Sequence, residues 1–192
     1  MIKHFEKIDQ TIVLTVNSWN TPFLDEVMWL VSGKLTWIPL YLVLIYLSFK
    51  KLGTKNTLIF ISLAITIVAL SDLSCTYLFK KVFLRYRPSH NLLLENKLHL
   101  YRESNGSLHR GGKYGFISSH AANFFGIAVF AGLVLKTYFK KLIYILLSIG
   151  CIVAFSRLYL GVHYLSDILV GAIVGSLYAT IVYQFIYKDY KK

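Results

Sequence analysis

Apolar residues along this chain come in long blocks separated by short polar stretches, rather than in alternation. Residues 1–20 are the exception. Phe5, Ile8, Ile12, Val13, Leu14, Val16 and Trp19 are spread among Lys7, Asp9 and Gln10, a pattern too short and too polar to cross a bilayer. It predicts an amphipathic helix lying at an interface. Asn20-Thr21-Pro22 then reads as a helix start, with Pro22 near the first helical position. Five apolar blocks follow, over roughly 27–49, 57–79, 116–136, 142–160 and 164–187. Each reaches about 20 residues, the length that spans a ~30 Å apolar slab. Gly33, Lys34 and Pro39 interrupt the first block. It is either one broken span, or a surface helix leading into a span from about Leu35, with Lys34 snorkelling to the interface. Residues 89–115 form a polar loop whose "GSLHRGGKYG" has no core-forming pattern.

Composition agrees with a membrane protein. Of 192 residues, 56% are hydrophobic and only 16% charged, less charge than a soluble domain carries. The formal charge is +12. Nucleic acid is a poor explanation, because no basic patch stands apart from the apolar blocks. Instead lysines cluster at 50, 51 and 55, at 136, 140 and 141, and at 188, 191 and 192, after the first, third and fifth blocks. The positive-inside rule puts those ends in the cytoplasm. The opposite face then carries the N-terminus, 80–88, 118–120 and 157–163. The expected fold is all-α: one polytopic transmembrane bundle over 1–192, with five spans, or six if the first region folds back. The loop 89–115 is extracytoplasmic. Cys75 and Cys151 lie inside apolar blocks and suit helix packing. The histidines lack metal-ligand spacing, so neither metal nor cofactor is expected. No cleavable signal peptide is evident, so the first helix would target the chain.

Three polar groups share the non-cytoplasmic face. The first is "KKVFLRYRP" at 80–88. Lys80 and Arg87 are seven apart and share a face if the helix continues, with Pro88 ending it. Such a cluster can be a plain interfacial anchor, but on this face surplus positive charge opposes the topology rule. Phosphate binding is another reason for it: Arg87 offers a rigid fork and Lys80 a mobile point charge. Lys81 and Arg85 fall off that face and suit headgroups or solvent. The second group is "GFISSH" at 115–120. Ser118 or Ser119 caps the next helix, whose first N–H groups form an anion site beside His120; alone, this reads better as an ordinary cap with an interfacial histidine. The third is "SRLYLGVHYLSD" at 156–167. His163 and Asp167, four apart, face each other, so the carboxylate fixes one imidazole nitrogen and frees the other to attack. Arg157 precedes a turn at Gly161 that folds it back over the site. An acid and a histidine at a membrane helix end are costly unless used. Asp72, inside the second block, is placed to pair with Lys80 or Arg157, or to cap a polar network under the site, in a supporting role.

Together these residues resemble the type 2 phosphatidic acid phosphatases, which share their site with vanadium-dependent haloperoxidases. The matching residues are Lys80, Arg87 and Pro88; then Ser118 and His120; then Ser156, Arg157, His163 and Asp167. The resemblance covers about residues 72–175. Ile117 and Ser119 stand where the family has Pro and Gly. The resemblance implies that His163 attacks phosphorus to form a phosphohistidine, with Asp167 orienting it. His120 protonates the leaving oxygen and then activates water. Lys80, Arg87 and Arg157 bind the phosphoryl oxygens, helped by Ser118 and the Ser119 N–H. It implies no cofactor, a phosphorylated membrane lipid as partner, and a multi-pass protein of the bacterial cytoplasmic membrane whose site faces outward. Undecaprenyl diphosphate is the first expectation for substrate. Phosphatidylglycerol phosphate, phosphatidic acid and lipid A phosphate are the alternatives. Arg102, His109, Arg110 and Lys113 are headgroup contacts or simply part of a solvated loop. A haloperoxidase is disfavoured because those enzymes are soluble. A non-catalytic membrane protein would not need an Asp–His pair beside three cations.

Overall fold

A computed structural model describes residues 2–190, with the side chains of residues 2–4 and 189 left aside. Lys191 and Lys192 of the last lysine cluster lie outside the described residues. The described chain is helical: α1 (Ile2–Asn17), α2 (Pro22–Ser32), α3 (Ile38–Leu73), α4 (Lys81–Phe83), α5 (Ser119–Leu135), α6 (Leu142–Tyr159), α7 (Leu165–Val182) and α8 (Lys188–Tyr190). A 3-10 turn at Leu35–Trp37 leads into α3, and π-helical turns at Ser74–Lys80 and Tyr183–Tyr187 extend α3 and α7. Three continuous segments are long and apolar enough to cross a membrane: Leu35–Phe83, Leu142–Tyr159 and Leu165–Tyr187. α5, at 17 residues, is apolar but slightly shorter.

The first block resolves into a separate α2 followed by α3. Thr21 caps α2 by accepting from the Leu24 N–H, and Pro22 fills the first turn, where its missing N–H costs nothing. α3 is not one rod. At Gly53 the backbone takes φ 77° and ψ 171°, which breaks the helix. Tyr41 and Leu44 line the same groove as Ala64 and Val68. In a straight helix Leu44 and Ala64 would be about 30 Å apart. The arms therefore fold back on each other as a hairpin, and only glycine takes that φ without strain. Lysines crowd the turn. Lys51 sits over Tyr138, Lys55 over Tyr190 and Lys136 over Tyr183, each within 6 Å of the ring centre. Lys51, Lys55 and Lys136 thus lie at one end of the bundle, beside Tyr190 of α8.

α5 is the central helix and packs on α3, α6 and α7. Its seam with α7 is the tightest. A Cβ at Gly171 would lie 2.6 Å from the Ser118 carbonyl, and one at Gly175 would overlap the Ala122 carbonyl. The two glycines are one turn apart and let the backbones touch, which matters in lipid because burying apolar surface there gives little driving force. The core divides along the bundle. Leu44, Phe60, Ile67, Phe130, Leu135 and Leu146 pack toward the lysine end. Val13, Leu94, Leu158, Tyr159, Val162 and Tyr164 pack toward the other. α1 joins this second core, burying Val13, Val16 and Asn17 against α6 and α7. The Asn17 amide donates to the carbonyls of His99 (2.8 Å) and Tyr159 (2.7 Å) and accepts from the His99 N–H (2.7 Å), tying α1 to the loop and to the end of α6.

Candidate active site

The site lies at the end of the bundle away from the lysines, where three chain segments converge. The first leaves α4 at Leu84, whose left-handed φ of 49° ends the helix. Residues 85–87 then run alongside 113–115: the Arg87 N–H donates to the Lys113 carbonyl (3.1 Å) and the Gly115 N–H to the Arg85 carbonyl (2.9 Å). Lys80 and Arg87 consequently do not share a helix face, contrary to the spacing argument. Lys80 reaches the site from the π-helical turn and Arg87 from the loop after it. Gly111 and Gly115 make room for Arg87: a Cβ at Gly115 would lie 3.0 Å from its Cγ and 3.1 Å from the Asp167 carboxylate.

The second segment is the start of α5. Ser118 is the N-cap, with its Oγ accepting from the Ala121 N–H and its own N–H donating to the Asp167 carbonyl (2.9 Å). The first-turn N–H groups of Ser119 and His120 have no carbonyl one turn earlier to bond, which suits an anion. Lys80 Nζ donates to Ser119 Oγ (2.8 Å).

The third segment is the turn from α6 into α7. Gly161, at φ 67°, reverses the chain so that Arg157 and His163 meet. Arg87 Nη1 donates to the Val162 carbonyl (2.9 Å) and to His163 Nε2 (2.7 Å). A guanidinium has no acceptor, so Nε2 carries the lone pair and Nδ1 the proton. That Nδ1–H donates to Asp167 Oδ2 (3.2 Å), which also accepts from the Tyr164 N–H (3.1 Å). His163 is 1% exposed. Burial, with Arg87, Arg157 and Lys80 around it, holds its pKa well below the ordinary imidazole range. It is therefore neutral and nucleophilic at neutral pH. Burial also lowers Arg87 to about 10, eased by Asp167, so it stays charged.

Arg157 is buried and donates to Ser32 Oγ at the end of α2. The Nε–H groups of Arg87 and Arg157 are buried without a partner. Two guanidinium edges held this way are costly unless an anion engages them. His120 lies within the field of Arg157, Lys34, Arg87 and Lys80. It lines two cavities, one of about 300 Å³ with Lys34, Asp72 and Ser119, the other of about 430 Å³ with Trp29, Lys34, His109 and Arg157.

The structure thus brings together Lys80, Arg87, Ser118, Ser119, His120, Arg157, His163 and Asp167. Asp72 sits at the cavity edge but accepts from Asn123 (3.1 Å), and pairs with neither Lys80 nor Arg157. Of the loop residues, His109 reaches a cavity. Arg110 is held by Glu95 and the Ser89 carbonyl, Arg102 by the Gly106 carbonyl, and Lys113 by the rings of Tyr86 and Tyr114. Sequence reasoning missed Lys34, Ser32 and Arg85. Arg85, assigned to headgroups or solvent, instead bonds Asp167 Oδ1 at 2.9 Å. Among the described residues, no group of three or more His, Cys, Asp or Glu is placed to hold a metal ion.

Residues 57–191 match the model of the PAP2 superfamily, and that range contains every residue of the constellation. The chain belongs to the PAP2 superfamily. It is 32% identical over 98% of its length to the lipid A 4′-phosphatase of Porphyromonas gingivalis, covering 75% of that protein. It is 31% identical, again over 98%, to the lipid A 4′-phosphatase of Bacteroides thetaiotaomicron, covering 81% of it. Its fold is shared with a transmembrane PAP2-type phosphatidylglycerolphosphate phosphatase from Bacillus subtilis, at TM-score 0.73 and 22% identity, over 96% of this chain and 87% of that one. It is also shared with Aquifex aeolicus LpxE, at TM-score 0.64 and 20% identity, over 91% and 94%. The protein is a bacterial, multi-pass inner-membrane enzyme, a membrane lipid phosphatase whose PAP2-type hydrolysis is metal-independent.

Proposed function

We propose that this enzyme removes a phosphate from lipid A by way of a phosphohistidine on His163. The observation that carries the chemistry is the polarised dyad: Asp167 on Nδ1, and a free Nε2 lone pair now held by Arg87 Nη1 at 2.7 Å. When a phosphate enters, Arg87 turns from nitrogen to phosphoryl oxygen, exposing the nucleophile as it binds the electrophile. His163 Nε2 forms a bond to phosphorus while the phosphorus–oxygen bond to the lipid breaks. His120 gives its proton to the departing oxygen. His120 then takes a proton from water, whose oxygen attacks phosphorus. The nitrogen–phosphorus bond breaks and inorganic phosphate leaves. Lys80, Arg87, Arg157 and the first-turn N–H groups of α5 stabilise the charge that grows on the equatorial oxygens.

The two lipid A 4′-phosphatases, alike over nearly the whole chain, support lipid A rather than undecaprenyl diphosphate as the substrate. The cavity beside His120 supports a bulky polar headgroup. Its Trp29 is stacked on Tyr101 (4.4 Å) with His109 edge-on (4.8 Å), a rigid aromatic and imidazole wall suited to a sugar. The hairpin of α3 with α5, α6 and α7 supports five crossings, and the lysine-rich end supports a site facing away from the cytoplasm.

Purified enzyme in detergent with chelator present is expected to release phosphate faster from lipid A than from undecaprenyl diphosphate, phosphatidylglycerol phosphate or phosphatidic acid. Mass spectrometry of the product would place the loss at the 4′ position. Cleavage of undecaprenyl diphosphate with lipid A left intact would overturn the substrate assignment.

A further inference from the structure

Outside the phosphate-binding groups lies a second polar cluster that the mechanism above does not use. Arg85 Nη1 donates to Asp167 Oδ1 (2.9 Å) and to Ser166 Oγ (2.7 Å). Its other nitrogen, Nη2, donates to Asp9 Oδ2 (2.8 Å). Asp9 belongs to α1 and is itself buried. It accepts from the Ser166 N–H (3.1 Å) in the first turn of α7, and from Ser166 Oγ. The Arg85 guanidinium lies 4.2 Å from the centre of the Tyr164 ring, which fixes its plane. Both terminal nitrogens of Arg85 are engaged, and through Arg85 the cluster bears on the carboxylate oxygen of Asp167 that His163 does not touch.

We propose that Arg85 and Asp9 are positioning residues that set the orientation and charge of the His163–Asp167 dyad. A carboxylate bound only through Oδ2 can rotate about its Cβ–Cγ bond. Arg85 holds the second oxygen, so Oδ2 stays aimed at Nδ1 of the imidazole. Asp9 in turn holds Arg85 and offsets its charge, so the cation orients Asp167 without drawing too much of the carboxylate's charge away from His163. Outer partners of this kind typically alter activity by about ten- to a hundred-fold.

The charged and titratable groups around the dyad are Arg85, Asp9, Arg87, Arg157, Lys80, His120 and Tyr164. Removing a cation from this set eases protonation of the dyad, and removing an anion hinders it. Arg85→Gln and Asp9→Asn should therefore both lower kcat by roughly ten- to a hundred-fold with little change in KM. Their pH–rate profiles should move in opposite directions: the acid limb to higher pH in Arg85→Gln, to lower pH in Asp9→Asn. Arg85→Lys, which keeps the charge and loses the fork, should lose kcat with the acid limb unmoved. Because Asp9 acts through Arg85, the double variant should be no slower than Arg85→Gln alone.

The measurement is kcat, KM and pH profile of each variant in detergent, with vanadate binding retained as the sign that the site is folded. Wild-type kcat in Arg85→Gln, or a loss of kcat with both acid limbs unmoved, would overturn the proposal. It rests on His163 as nucleophile, so His163→Ala is run alongside. An active His163→Ala defeats the mechanism itself; an inactive one beside an unaffected Arg85→Gln defeats only this positioning role.

Discussion

The turn carrying His163 and the first turn of α5 carrying His120 sit side by side and are built on opposite plans. His163 is enclosed, with each ring nitrogen engaged and its carboxylate partner held in turn by Tyr164 and Arg85. His120 is half-buried, has no hydrogen bond among the described residues, and looks into two cavities. The difference matches the tasks proposed for them. A nucleophile must present one nitrogen along one line to phosphorus, so rotation is waste. A proton carrier must serve two oxygens in succession, one on the lipid and one on water, so some freedom is useful. In the proposed mechanism, packing gives two identical side chains different roles.

Substitutions test that contrast. The largest effect is expected for His163→Ala, with a fall in kcat on the order of 10⁵-fold or more, and no phosphoenzyme detected on neutral or alkaline gels, the conditions under which the acid-labile phosphorus–nitrogen bond of a phosphohistidine survives. His120→Ala should cost about 10²–10⁴-fold on a lipid substrate. With a nitrophenyl phosphate, whose leaving group departs without a proton, its deficit in phosphoenzyme formation should shrink while that of His163→Ala does not. Equal deficits on both substrates would erase the distinction between the two imidazoles. Gly175→Val probes the spacing between them. The new side chain meets the Ala122 carbonyl and forces α5 away from α7. A shift of about 1 Å is expected to cost roughly 10²-fold in kcat, and the variant should melt at lower temperature than the wild type.

Much of this site was readable from sequence because its residues stand at the ends of apolar blocks. Lys80, Arg87, Arg157, His163 and Asp167 are costly there, and the lysine clusters put them on a common face before any motif was considered. What was misread shares one cause. The run from 80 to 88 was treated as continuous helix, but the left-handed turn at Leu84 ends it. With the helix gone, Arg85 is no longer off the face; it turns inward to Asp167. Asp9 gave no local signal at all, being 157 residues from the serine it bonds. Charge points Asp72 toward a cation, but its carboxylate accepts from the Asn123 amide instead. Lys34 read as an ordinary snorkelling residue, since nothing in its neighbourhood announces that the turn after α2 closes over His120.

The Asp9–Ser166 contact also has a meaning in time. Asp9 leaves the ribosome 157 residues ahead of Ser166. At roughly 5–20 residues per second, the interval is about eight to thirty seconds. Throughout it the α7 side of the docking place of α1 is missing, and neither carboxylate of Arg85 is in its final arrangement. On the proposed mechanism, the dyad is fully aligned only once the first turn of α7 has been made and Asp9 has met Ser166.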